Sequence, residues 1–136
     1  MYSGQVAAYA YKPIVGHTYD TVAVVSPIHR GYLALGGAVI AGVTAYRTPL
    51  GDVTLNRELV ERLDDWVRLS VVKRDDEHSL EIQLPFLQAT LDEFDLLPVM
   101  LADQSLEFCR QVGEALATVI RESGRRVLLV ASTDLS

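Results

Sequence analysis

The chain is poor in cysteine, in clustered positive charge and in long apolar runs, and each shortage excludes a class of function. One cysteine in 136 residues, Cys109, leaves no internal disulfide and no Cys-rich zinc site. Twelve Lys and Arg stand against 18 Asp and Glu, a formal net charge of −6. Phosphate-backbone binding needs clustered cations, and Arg125-Arg126 is an isolated pair, so nucleic acid is not the expected partner. No stretch approaches the ~20 apolar residues of a membrane span, and the N-terminus lacks a basic-then-apolar leader pattern. No membrane association is expected, and the expected location is the cytoplasm. There is no G-x-G-x-x-G, no Walker loop, no H-E-x-x-H, and no G-x-S-x-G around Ser26 or Ser132. What is present is ordinary globular material, with 49% hydrophobic and 22% charged residues.

Periodicity alternates helix and strand. Residues 3–12 are Ala-rich and helix-prone, with Pro13 as the stop. Thr21-Val22-Ala23-Val24-Val25 is apolar on both faces, as suits a central parallel strand. Residues 38–46 suggest another strand interrupted by Gly42, and Thr48-Pro49-Leu50-Gly51-Asp52 is turn chemistry. Asn56 is placed to cap a helix, and 66–72 reads as a strand. Leu80, Leu84, Leu87 and Leu91 recur at helical spacing, so 77–92 reads as an amphipathic helix that Pro85 either kinks or restarts. In the strand 95–101, Pro98 predicts an edge or a bulge. Leu106, Cys109, Val112, Leu116 and Val119 form the stripe of a helix over 105–122 that Gly124 ends, and Val127–Val130 reads as a buried strand. The fold class expected is α/β, a mostly parallel sheet flanked by helices.

In open α/β sheets, ligands gather beyond the carboxyl ends of strands. Two loops qualify, Ser26-Pro27-Ile28-His29-Arg30-Gly31 and Ser132-Thr133-Asp134-Leu135-Ser136. If their strands are neighbours, His29 and Asp134 face one crevice, an imidazole and a hard oxygen able to bind a metal or move protons. The structural alternative is a His29 bonded to loop backbone and an Asp134 capping a following helix. A second cluster, Asp75-Asp76-Glu77-His78-Ser79-Leu80-Glu81, puts His78 and Glu81 three apart on one helical face. Either Glu81 orients His78, or both bind an ion, or the segment is an acidic helix start with an exposed histidine. Cys109 lies on the apolar stripe and reads as a core thiol.

Six segments, in order, resemble a known family: Tyr2-Ser3-Gly4 with Ala7–Tyr11; Ser26-Pro27-Ile28-His29; Tyr46-Arg47-Thr48-Pro49-Leu50-Gly51; Asp76-Glu77-His78-Ser79-Leu80-Glu81-Ile82-Gln83-Leu84-Pro85-Phe86; Leu97-Pro98-Val99-Met100; and Ser132-Thr133-Asp134. Together they look like the Memo (mediator of cell motility) family, whose prokaryotic members are called AmmeMemoRadiSam system protein B. The E-H-S-x-E-x-x-L-P segment is the most specific.

The resemblance implies a fold similar to class III extradiol dioxygenases, and a cleft that in full-length relatives binds iron or copper. His29 matches a metal ligand of the family. Asp134 matches a cleft aspartate, and Glu77, His78 and Glu81 match its E-H-S-x-E signature, with Arg30 a further cleft candidate. Asp134, His78 and Glu81 are the expected proton-transfer groups. The chain begins where the family has P-H-A-G-Y and ends just before a cleft histidine. Residues 1–136 are therefore expected to be a partial Memo-like domain that binds metal weakly or not at all alone. The implied function is a metal-dependent oxidoreductase of unknown substrate. Non-catalytic metal or peptide binding, or an inactive fragment, stand as the alternatives. The implied partners are a small molecule or peptide, a radical-SAM protein, an AMMECR-type protein, and further copies of the chain itself.

Overall fold

A computed structural model describes residues 3–29, 32–73 and 78–133. Seven strands and four α-helices alternate among these residues: α1 (Gly4–Tyr11), β1 (Thr21–Pro27), β2 (Ala38–Ala41), β3 (Ala45–Thr48), β4 (Gly51–Thr54), α2 (Arg57–Trp66), β5 (Leu69–Val72), α3 (Leu84–Thr90), β6 (Asp95–Leu101), α4 (Leu106–Ser123) and β7 (Val127–Ala131). Five strands form one sheet in the order β5-β2-β6-β1-β7, and β3 with β4 forms a separate hairpin. β1 runs parallel to both β6 and β7, and β2 runs parallel to β5. β2 meets β6 antiparallel through just two pairs, Ala38 with Leu101 and Val39 with Met100.

Alternation along the strands sends side chains into two apolar layers. Val22, Val24, Leu96 and Met100 face one layer with Tyr11 of α1 and with Leu80, Leu84, Leu87 and Leu91. Ala23, Leu97 and Val99 face the other with Leu59 and Leu63 of α2 and with Val112, Ala115, Leu116 and Val119 of α4. The helix ends are set locally. Asn56 Oδ1 accepts from Leu59 N at 3.0 Å and Ser105 Oγ from Phe108 N at 3.3 Å. Gly124 ends α4 in the left-handed region at φ 64°.

Several expectations are corrected. Gly42 ends β2 outright: a Cβ there would stand 3.0 Å from Val71 Cγ1, and β3 belongs to the hairpin. α2 continues to Trp66, so the strand read over 66–72 starts at Leu69. The helix read over 77–92 is a single turn at Glu81–Gln83 followed by α3, with Pro85 in the first turn where its missing N–H costs nothing. Leu106 is 79% exposed, because it lies in the first turn of α4, beyond the reach of the sheet.

Pro98 is neither at an edge nor in a bulge, since β6 has neighbours on both sides. Leu96 O accepts from Asn56 N at 2.8 Å, and Met100 pairs with Val39. Pro98 lies two residues from each and points the same way, into the gap between them, so its absent N–H breaks no ladder bond. β7 is an edge strand rather than a buried one, with Leu129 55% exposed, whereas Val22, Ala23 and Val24 of β1 are fully covered.

Candidate functional site

Because β1, β6 and β7 are parallel, their carboxyl ends open on one side of the molecule. A cavity of about 920 Å³ lies there, walled by α1, the end of β1, residues 78–83 and β7 into Thr133. His29 and His78 both line it.

Each histidine is positioned by a buried neighbour. Ile28 is 1% exposed, its N donates to Leu101 O at 3.0 Å and its O accepts from Gln104 Nε2 at 3.0 Å, which fixes the backbone entering His29. On the other wall, Leu80 is fully buried and Ser79 Oγ donates to Pro27 O at 2.7 Å. That bond ties the turn carrying His78 to the end of the strand carrying His29, across 52 residues of sequence. His78 is not helical, as its spacing suggested, although Glu81 still reaches it, with Oε2 3.6 Å from His78 Nδ1. Glu81 stands behind His78 rather than among the cavity-lining residues. Ser132 N donates to Val25 O at 2.8 Å, extending the β1–β7 ladder so that Ser132 and Thr133 enter the cavity.

Arg30, Glu77 and Asp134 lie outside the described residues. Cys109 is on α4, packed against the opposite face of the sheet from the cavity, in the core role expected of it. Among the described residues, no three of His, Cys, Asp or Glu gather closely enough to hold a metal ion.

Sequence reasoning missed two features. Ser26 Oγ is buried with no hydrogen-bond partner among the described residues, at the strand end leading to His29. Tyr11 is buried against Phe86, rings stacked at 5.4 Å, and its hydroxyl donates to Gln83 Oε1 at 2.6 Å.

Burial pushes the Tyr11 phenol from 10.0 up to about 12. The folded state therefore holds this proton more tightly than the unfolded chain. The corresponding stability is fully present below pH 10 and is lost as pH rises from there towards 12. Denaturant midpoints followed across that window should fall for the parent chain. Tyr11→Phe should flatten this part of the decline, and an unchanged slope would contradict the assignment.

At the other end of the sheet, a second hollow of about 640 Å³ is lined by Asp20, Asp52, Asp92, Glu93 and Asp95 beside Arg125. No helix among the described residues is long and apolar enough to cross a membrane.

Compared with known proteins, residues 1–136 match the family described as Memo-like protein. A MEMO1 family protein of Methanopyrus kandleri is 40% identical over 145 aligned residues, covering 99% of this chain and 49% of that protein. One from Methanothermobacter thermautotrophicus is 38% identical, over all of this chain and 50% of its own length. A third, from Methanosarcina mazei, is 37% identical with the same coverage. The chain spans about half the length of the curated relatives it matches.

Proposed function

The chain belongs to the Memo-like protein family, and from that premise we propose that the cavity at the ends of β1 and β7 is a binding site for a transition-metal ion and a small organic ligand held beside it. The observation that carries this reading is the convergence of His29 and His78, 49 positions apart in sequence, on one hollow beyond the strand ends. Imidazole is a borderline donor suited to iron, copper and cobalt.

The described donors are two imidazoles, one short of the two-histidine, one-carboxylate set of non-haem iron oxygenases. The chain's own residues bind and orient: His29 and His78 line the hollow, and Glu81 Oε2 stands 3.6 Å from His78 Nδ1. Redox chemistry belongs to this reading only where a third donor completes the set, and Asp134, which follows Thr133 of the cavity wall, is the sequence candidate.

Titration with cobalt(II), followed by its visible absorption, tests the site. The intact chain should bind saturably but weakly. His29→Ala should weaken binding by about tenfold, the value of one ligand or its support, and His78→Ala by less. Equal cobalt affinity in His29→Ala and the parent would sink the metal reading.

A further inference from the structure

Across the wall of the cavity, three side chains distant in sequence are joined end to end. Tyr11 Oη donates to Gln83 Oε1 at 2.6 Å, and Gln83 Nε2 donates to Ser132 Oγ at 3.2 Å. All three residues line the cavity. Tyr11 is 6% exposed, and its phenol stays protonated throughout the neutral range, so it always has a proton to give. In this arrangement the oxygen of Gln83 faces Tyr11 and its nitrogen faces Ser132. Ser132 Oγ is therefore an acceptor towards Gln83, and its own hydroxyl hydrogen remains to be donated. No described residue accepts it. The ladder bond from Ser132 N to Val25 O holds the residue in place, so this donor is preset rather than searching.

The chain carries a net −6, yet none of the described residues lining this cavity is Asp or Glu, while five carboxylates line the hollow at the opposite end of the sheet. The rest of the wall is largely apolar, including Val6, Ala10 and Ile14.

We propose that Tyr11, Gln83 and Ser132 form a fixed hydrogen-bond relay whose free end, the Ser132 hydroxyl, is a directed donor to an anionic oxygen of the ligand, and that the ligand class is a small carboxylate on an apolar body. The inference rests on the cavity being the ligand site, and it does not require the metal. A hydrogen bond to a charged acceptor is about twice as strong as one to a neutral acceptor, so the relay discriminates charge as well as shape. Ser132 and Gln83 are positioning and specificity residues on this view.

The test uses the full chain with chelator present, and benzoate with its neutral isostere benzamide as probes, by calorimetric titration. The parent should prefer benzoate. Ser132→Ala should lose about tenfold in benzoate affinity with benzamide unchanged, and Ser132→Thr should keep the preference. Tyr11→Phe, which leaves Gln83 free to turn over, should narrow the preference. Thermal unfolding of each variant confirms that it is folded. Equal benzoate affinity in Ser132→Ala and the parent, or equal loss of both probes, would overturn the relay. Should cobalt fail to depend on His29 while benzoate still depends on Ser132, the relay stands and only the metal reading falls. Should neither probe bind the parent, the relay proposal falls, while the metal reading of the cavity is still decided by cobalt and His29.

Discussion

Truncating Leu87 to alanine is expected to cost about 3 kcal/mol of folding stability. Leu87 is the fourth residue of α3 and is fully buried in the layer with Leu80, Leu84 and Leu91. Alanine preserves the helix propensity, so the loss is that of transfer energy plus the cavity left behind. A domain of this size holds on the order of 5–15 kcal/mol in all, so the melting temperature should fall by about 10 °C. Leu106→Ala is the matched control. It belongs to the same kind of leucine-bearing stripe in sequence, but it is 79% exposed. Its effect should stay within about 0.5 kcal/mol. Comparable losses in the two variants would mean that α3 is not packed on the sheet as described.

The second large effect is expected at Asp95, where the amino ends of three strands meet. Its carboxylate accepts from Thr21 Oγ1, from Asn56 Nδ2 at 3.0 Å and from Arg125 Nη2 at 3.0 Å, while Arg125 Nε donates to Thr21 Oγ1 at 3.0 Å. One side chain thus joins β6, the first residue of β1, the capping residue of α2 and the approach to β7. Thr21 is fully buried, so losing Asp95 leaves its hydroxyl without an acceptor. Asp95→Ala should cost about 2–3 kcal/mol, mainly through donors left unpaired. Arg125→Ala should cost less, about 1 kcal/mol, because its ion pair with Asp95 is partly solvated. Urea denaturation of the two single variants and the double variant measures the coupling. An Asp95→Ala loss no greater than that of Arg125→Ala would show that the ion pair, not the shared network, is what matters.

What could be read from sequence was mostly what is local. Asn56, Ser105 and Gly124 act through bonds or dihedrals within four residues of themselves, and they end their helices in the structure as turn chemistry requires. The resemblance carried on six segments agrees with the family match over the whole chain. Misreadings arose where the answer depends on distant strands. Val127–Val130 has the composition of a central strand, and nothing in it reveals that β7 has one neighbour. Pro98 signals an edge by its missing donor, but whether a donor is needed there depends on where Leu55 and β2 stop pairing with β6. At the candidate site, His29 was legible because it follows a strand end. The meeting of His29 and His78 was not, because it depends on Ser79 bonding Pro27. The joining of Tyr11, Gln83 and Ser132 was not legible for the same reason, the three being 72 and 49 residues apart, although Ser132 stood in one of the two strand-end loops singled out.

The junction between β2 and β6 has a mechanical consequence. The β6-β1-β7 block and the β5-β2 block are each knitted by parallel ladders of four to seven registered positions, yet they join through two. A sheet built this way has a fault line, bridged by Ala102 N and Asp103 N reaching Gly37 O and by the packing of α2 on α4. Partial opening costs least where the fewest ladder bonds must break. Strain on this molecule would concentrate there and part the five-stranded sheet into two smaller units, leaving the strands that carry the His29 cavity together on one side.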